Sequence, residues 1–335
     1  MREQILQILR KSGEISGEVL SQRLGISRAA IAKHIKALRA EGYDIEAAPR
    51  RGYRFLGAPD TLSSAEIGCF LQEKAAGWQI HYHQELSSTT AVLRSLAGQG
   101  APHGTVLIAE SQQTGEGRLD RTWFSPAHMG LWMSFLLRPP LRPQLAQTMT
   151  LLTACATARV LDKLGFACGI KWPNDVLSLS GKKLCGIKSE MCADMDSVKW
   201  LVTGLGLNIN MPGFPSPLDA TASSLYLLNG QILPRSPIAA ALLDELYRLY
   251  QVLLNQGFAP IREMWLHYAV SLGQMIRVSN STEEYHAIAR GLDENGYLLV
   301  EQEGQLKTVT SGDIILRSST ARCQMPEDRV CRKAR

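Results

Sequence analysis

Nowhere in the 335 residues does an apolar run approach the roughly 20 residues that span a bilayer, which argues against a membrane-spanning helix. The opening segment MREQILQILRKSG alternates charge with apolar residues at helical spacing, so it is not a secretory signal. No two cysteines have CxxC spacing. The seven, at 69, 155, 168, 185, 192, 323 and 331, are odd in number and read as reduced thiols of a cytoplasmic protein. Nucleotide motifs are missing as well: neither GxxxxGK[ST] nor GxGxxG occurs. No Ser/His/Asp set and no cysteine nucleophile stands out by spacing. His81 and His83 can share one strand face, but no third ligand accompanies them, which argues against a metal site there.

What is present is unevenly distributed. Residues 1–58 carry 11 Lys/Arg against 6 Asp/Glu, residues 319–335 carry 5 against 2, and the middle carries 20 against 23. The formal charge of +5 therefore belongs to a short N-terminal block and a tail. A small basic block is a candidate nucleic-acid surface, whereas the tail over 319–335 has no apolar period and is expected to be disordered.

The basic block has a definite pattern. Ile5, Leu6, Ile8 and Leu9 fall on one helical face. Ser16 can cap a second helix burying Val19, Leu20 and Leu24, and Gly25 makes a turn. Ser27 can then cap a third helix burying Ala30, Ile31, Ile35 and Leu38. This is helix-turn-helix patterning, with Arg28, Lys33, His34 and Lys36 available to phosphates or base edges. YDIEAAPRRGYRFLG follows as two strands around a basic turn holding Arg50 and Arg51. The predicted DNA-binding set is thus Ser27, Arg28, Lys33, His34, Lys36, Arg50 and Arg51. A winged unit of this size reads one half-site, so a dimer on a two-fold operator is expected. The competing reading is a helical bundle whose basic residues merely solvate its surface.

After the polar stretch GAPDTLSSAE, strand and helix patterns alternate over residues 64–268, predicting a mixed α/β sandwich. Strands are expected at 105–109, 131–137, 183–190 and 200–207, with long helices at 145–164 and 238–255. Residues 270–318 change to short strands with an Asn295-Gly296 hairpin signal, predicting a small SH3-like β-barrel. The overall expectation is an α+β multidomain chain.

Polar clusters sit where strands end: SST at 87–89, QQTGEGRLDRTWFSP at 112–126, KWPND at 171–175, GKKLCGI at 181–187 and GLGLNIN at 204–210. Glycines admit close backbone approach and arginines offer rigid anion-binding forks. Lys183 is placed to steady a transferring phosphate, and Asn208 and Asn210 to orient a ligand. Taken singly, each has a plainer explanation, such as a bulge, a turn or a solvated lysine.

Taken together, and in this order, these motifs resemble the biotin–protein ligases. More narrowly, they resemble the bifunctional type that also serves as biotin operon repressor, over about residues 1–318. The resemblance implies an ATP-dependent enzyme that forms biotinyl-5'-adenylate and transfers biotin to a lysine of a biotin carboxyl carrier protein of acetyl-CoA carboxylase. It also implies an adenylate-bound homodimer that represses an operon. Lys183 and Arg118 are the implied catalytic residues. Biotin contacts are implied at Ser88, Thr89, Thr90, Gln112, Gly115, Glu116, Gly117, Arg118, Lys183, Gly186, Lys188, Gly204 and Gly206. Nucleotide contacts are implied at Arg118, Arg121, Trp123, Lys171, Asn174, Lys183 and Asn208, with Asp175 near Mg²⁺. A DNA-binding biotin sensor with weak ligase activity and a lipoate-type ligase are the alternatives.

Three positions depart from the family pattern. Glu116 stands for the first arginine of GRGRxxRxW, Thr90 for the asparagine of STN, and Lys188 for an aliphatic residue after CGI. Leu184, Gly186 and Lys188 share a strand face. Either Lys188 reaches Glu116 as an exchanged ion pair, or the two are unrelated solvated substitutions.

Overall fold

The computed structural model describes residues 1–48, 51–72, 77–119, 121–279 and 283–316. The predicted contact residue Arg50, the 319–335 tail, Cys323 and Cys331 lie outside them. The chain divides into two compact units, one of Met1–Gln72 with Pro234–Ala240 and one of the remainder.

The first unit holds helix α1 (Arg2–Ser12), strand β1 (Glu14–Ile15), α2 (Gly17–Leu24), α3 (Arg28–Ala40), β2 (Asp44–Ala48), β3 (Gly52–Gly57) and α4 (Ser64–Gly68). Both predicted caps form: Ser16 Oγ accepts from Val19 N at 3.1 Å and Ser27 Oγ from Ala30 N at 3.2 Å. Gly25 takes a left-handed φ of 67°, so the turn between α2 and α3 closes without Cβ strain. Ile5, Leu6, Leu9, Leu20, Ile31, Ile35 and Leu38 interdigitate as the core. Each such side chain contributes about 1.5–3 kcal/mol of transfer free energy. The sheet runs β1-β3-β2, all antiparallel.

The polar stretch after the wing is more than a spacer. Its α4 carries Glu66, buried at 3% exposure, which accepts from Tyr43 Oη at 2.8 Å and pairs with the Arg10 guanidinium. Arg10 in turn lies over the Phe55 and Phe70 rings, at 4.5 and 4.9 Å. Asp60 holds the fully buried Arg235 guanidinium at 2.7 Å. A polar-looking sequence here hides charge because each buried charge has its partner.

The second unit runs β4 (Gln79–Leu86), α5 (Thr89–Gly98), β5 (Thr105–Gln112), β6 (Gly115–Glu116), β7 (Thr122–Trp123), β8 (Gly130–Leu137), α6 (Ala146–Lys163), β9 (Cys168–Lys171), β10 (Asp175–Ser178), β11 (Lys183–Ala193), β12 (Val198–Asn208), α7 (Leu225–Asn229), α8 (Arg235–Gln256) from Ala241 onward, and α9 (Ala259–Tyr268). Its main sheet has the order β4-β5-β8-β12-β11-β10-β9, with only the β4–β5 pair parallel and α5 as their crossover. Ser189 of β11 shares a hydrogen bond with Thr150 of α6, whereas the next residue, Glu190, pairs with Arg94 of α5. Successive strand residues point to opposite faces, so helices cover both sides of the sheet, as the sandwich expectation requires.

Strands β13 (Met275–Ser279), β14 (Glu284–Leu292), β15 (Leu298–Gln302), β16 (Gln305–Val309) and β17 (Asp313–Leu316) form an antiparallel sheet in the order β16-β15-β14-β13-β17. This arrangement is consistent with an SH3-like barrel, although no β16–β17 pairing closes it among the described residues. The Trp172 indole, fully buried, donates to Gly296 O at 3.2 Å and so ties the KWPND turn to the Asn295-Gly296 turn.

Candidate active site

A cleft opens on the α5 side of the main sheet, floored by β11 and β12. In their ladder Gly186 faces Gly206 and Lys188 faces Gly204, so three glycines leave the floor without side chains. A Cβ at Gly206 would lie 2.3 Å from Trp123 Nε1, and one at Gly204 would lie 2.2 Å from Thr90 Oγ1. The floor therefore needs glycine for neighbours to approach this closely.

The N-terminus of α5 and the end of β5 make one wall. Thr89 N donates to Gln112 Oε1 at 2.8 Å, and Gln112 Nε2 donates to Ser125 Oγ at 2.8 Å. Ser134 Oγ links Thr89 and Thr90 at 2.8 and 3.0 Å. Ser88 is buried and spends its hydroxyl capping α5, so of the implied trio only Thr89 and Thr90 line the cleft. Thr90 stands where the family has asparagine, and its short hydroxyl is taken up by Ser134.

The opposite wall is the hairpin in which β6 pairs with β7. Glu116, Gly117, Arg118 and Trp123 line the cleft. Gly115 packs instead behind Trp123 and Ser125, and Arg121 points away, 2.9 Å from Asp313. Arg118 donates to Asn174 Oδ1 and Gly312 O, both at 3.2 Å, and lies 3.5 Å from Asp313.

At the far end stands a charged chain. Lys183 Nζ is 2.6 Å from Asp175 Oδ1, Lys171 Nζ is 3.1 Å from Oδ2, and Lys183 also lies 5.2 Å from the Trp123 ring centroid. The cause is the hairpin register: β9 and β10 set Lys171 opposite Asp175, with Gly186 on its other side. Burial pushes the Asp175 carboxyl up, but the two ammonium groups outweigh it and hold the group below the ordinary aspartate range. Both carboxylate oxygens thus face lysines, and no cluster of three metal-ligating side chains occurs among the described residues. Asp175, the residue expected near the Mg²⁺ that arrives with ATP, is thus paired with lysines through both oxygens in this ligand-free structure.

Asn208 is turned away from the cleft. Its amide donates to Ser223 O at 3.0 Å, while Asn210 holds Leu233 from both sides of its amide at 2.9 Å. These asparagines clamp the 211–233 loop, a role different from the ligand contact expected of them. Lys171 likewise serves Asp175 and is not part of the cleft wall.

Glu116 and Lys188 meet: Lys188 Nζ lies 2.8 Å from Glu116 Oε2. The exchanged-pair reading holds, and the solvated one does not. Sequence reasoning missed Arg94 and Glu190, which join this pair, and Asp313, which faces both loop arginines. Arg94 follows Thr90 by one helical turn, a signal that was available.

In the first unit, Arg28, Lys33 and Lys36 are exposed on α3, His34 is half-buried beside them, and Arg51 is exposed in the wing. Ser27 caps α3.

Comparison with known proteins gives three segments. Residues 1–54 match an HTH domain, 82–208 the biotin/lipoate A/B protein ligase family, and 271–317 the biotin protein ligase C terminal domain. A bifunctional ligase/repressor BirA of Bacillus subtilis is 37% identical over 321 residues, covering 94% of this chain and 98% of that protein. The BirA of Escherichia coli is 33% identical, with 91% and 93% covered. Among solved structures, a biotin protein ligase from Aquifex aeolicus in complex with biotin and ATP aligns with a TM-score of 0.62 at 26% identity, covering 72% of this chain and 99% of that one. With its helix-turn-helix unit, its glycine-floored cleft and full-length similarity to both repressors, the chain belongs to the bifunctional biotin ligase/repressor family.

Proposed function

We infer that the chain is an ATP-dependent biotin–protein ligase and, through its N-terminal unit, a repressor of biotin operon transcription. The observation that carries this reading is the cleft itself: a side-chain-free glycine floor ending at Lys183 and Arg118. The Trp123 indole lies against Gly186 and Gly206, so a flat ureido ring and its acyl chain would take its place on the floor as the indole lifts, and a carboxylate beside an α-phosphate suits the cationic end.

In the first step a biotin carboxylate oxygen attacks the α-phosphorus of ATP, forming the mixed anhydride and expelling pyrophosphate. Lys183 and Arg118 offset the charge that gathers on the phosphoryl oxygens. Asp175, held ionised between two lysines, is a weak proton acceptor near neutrality and serves to aim Lys183. In the second step the ε-amine of an acceptor lysine attacks the acyl carbon, an amide bond forms and AMP leaves. The β6–β7 pair and Trp123 exclude water from the anhydride. Their place on the walls and floor supports biotin contacts at Thr89, Thr90, Gln112, Gly117, Gly186, Gly204 and Gly206. Mg²⁺ belongs to this scheme as part of the incoming nucleotide, held mainly by phosphates.

The acceptor is a biotin carboxyl carrier protein of acetyl-CoA carboxylase, and the second macromolecular partner is operator DNA. A homodimer is the form that would present two α3 helices to a two-fold operator. The free thiols of Cys69, Cys155, Cys168, Cys185 and Cys192 suit a reducing, cytoplasmic setting. No described helix is long and apolar enough to cross a membrane.

Pyrophosphate–ATP exchange tests the reading. Exchange dependent on biotin supports ligation, exchange dependent on lipoate would make the chain a lipoate ligase, and exchange with neither would leave a DNA-binding sensor.

A further inference from the structure

Arg94, Glu116, Lys188 and Glu190 close a ring of alternating charge. Lys188 Nζ lies 2.8 Å from Glu116 Oε2 and 2.7 Å from Glu190 Oε1. Arg94 completes the circuit, with Nη1 2.5 Å from Glu190 Oε2 and Nη2 3.7 Å from Glu116 Oε1. Three members sit on the framework, Arg94 on α5 and Lys188 and Glu190 on β11; Glu116 alone belongs to the hairpin that walls the cleft. The four formal charges cancel.

The environment reinforces the ring. Burial by itself would lower the Lys188 ammonium, yet hydrogen bonds to Glu116 and Glu190 outweigh it and raise the group above the ordinary lysine value. Glu190 is pushed up by burial and drawn down further by Lys188 and Arg94, so it stays ionised at neutral pH. An arginine at position 116 would leave three cations around one anion, and an aliphatic residue at 188 would leave two anions sharing one guanidinium. Glu116 and Lys188 therefore require each other.

We propose that this ring is an electrostatic latch that holds the β6–β7 pair against the glycine floor, and that Glu116 and Lys188 are positioning residues in place of ligand contacts. What the latched hairpin covers rests on the ligase reading; the latch itself does not. All four side chains keep 21–43% of their surface in solvent, so added salt weakens their attraction. Hairpin opening, and with it release of whatever the cleft holds, becomes dependent on ionic strength.

The experiment is limited trypsin cleavage after Arg118 and Arg121 in the ligand-free full-length chain at low and high NaCl, normalised to a free peptide substrate. In the wild type, cleavage should rise about three-fold or more as salt screens the ring. Lys188→Met should raise low-salt cleavage about five-fold and reduce the salt response to what the Arg118–Asp313 and Arg121–Asp313 pairs leave, while Lys188→Arg should behave like wild type. Glu116→Gln combined with Lys188→Met leaves a neutral Arg94–Glu190 pair, so the double variant should be cut no faster than Lys188→Met alone. Salt-independent wild-type cleavage overturns the latch, as do single effects that multiply in the double variant. The wild-type salt series needs no variant to fold. Failure of the ligase reading would appear separately, as absent pyrophosphate–ATP exchange with the cleavage pattern unchanged.

Discussion

The Lys183 ammonium stands 2.6 Å from Asp175 Oδ1, and Lys171 occupies the other carboxylate oxygen at 3.1 Å. The carboxylate thus fixes Lys183 at the cationic end of the cleft while cancelling one of its neighbours' charges. Lys183→Met should lower biotin-dependent pyrophosphate exchange by about 10²–10³ in kcat, the scale of removing one preorganised charge at a transition state. Asp175→Asn should cost activity as well and destabilise the second unit by about 1–3 kcal/mol. That is less than a fully buried pair would, because the lysine side chains remain 24% and 30% exposed. Calorimetry and initial rates read the two effects separately.

Acid should probe the same pair. Asp175 is depressed in the folded chain, so its contribution is present above the unfolded aspartate pKa and is lost as pH falls through the lower folded value. Glu190 has the same sign. Denaturant midpoints should therefore decline on acidification below about pH 4, and the decline should be shallower in Asp175→Asn. An identical slope in the variant would remove Asp175 from the account.

The glycine floor makes a steric prediction. Gly206→Ala places a methyl 2.3 Å from Trp123 Nε1, so the indole must move off the floor. Tryptophan emission should shift to the red, and biotin affinity measured by calorimetry should fall at least about ten-fold. Gly204→Ala meets the buried Thr90–Ser134 hydroxyl pair instead, and should appear chiefly as about 1–3 kcal/mol of lost stability.

Operator binding should depend on α3. Lys33→Ala and Lys36→Ala remove exposed cations from that helix. Each should weaken binding at all sequences alike and reduce the slope of log K against log salt by about 1, if each meets one phosphate. Fluorescence anisotropy across a salt series measures both quantities; an unchanged slope would place the residue away from the DNA.

Local features were legible in the sequence. Ser16, Gly25 and Ser27 announce a turn between two capped helices because each acts on backbone within a few residues. The Glu116–Lys188 pair was legible for another reason: two departures of opposite sign fell on a loop and on a strand face of known period. What stayed hidden depends on distant register. Arg94 meets Glu190 and Arg118 meets Asp313 only because the sheet and the C-terminal strands bring them together. That Asp175 is flanked by Lys171 was hidden too, because it follows from the β9–β10 ladder. Glu66, in a stretch rich in turn formers, gave no sign of burial, since its partners Arg10 and Tyr43 lie far back in the chain. Asn208 and Asn210 carry a ligand-like pattern, yet their amides are committed to a loop that no periodicity describes.

Trp172 gives its indole proton to Gly296 O, and a Cβ at Gly296 would press within 2.7 Å of Leu151 in α6. The turn that presents Asn174 and Asp175 is thus braced by a hairpin belonging to a different sequence family segment. Anyone grafting the C-terminal sheet of one family member onto the ligase sheet of another must carry over the matched brace. Otherwise the chimera trades a seated tryptophan for a buried indole with nothing to donate to. The two segments are separable as text and inseparable as a working part.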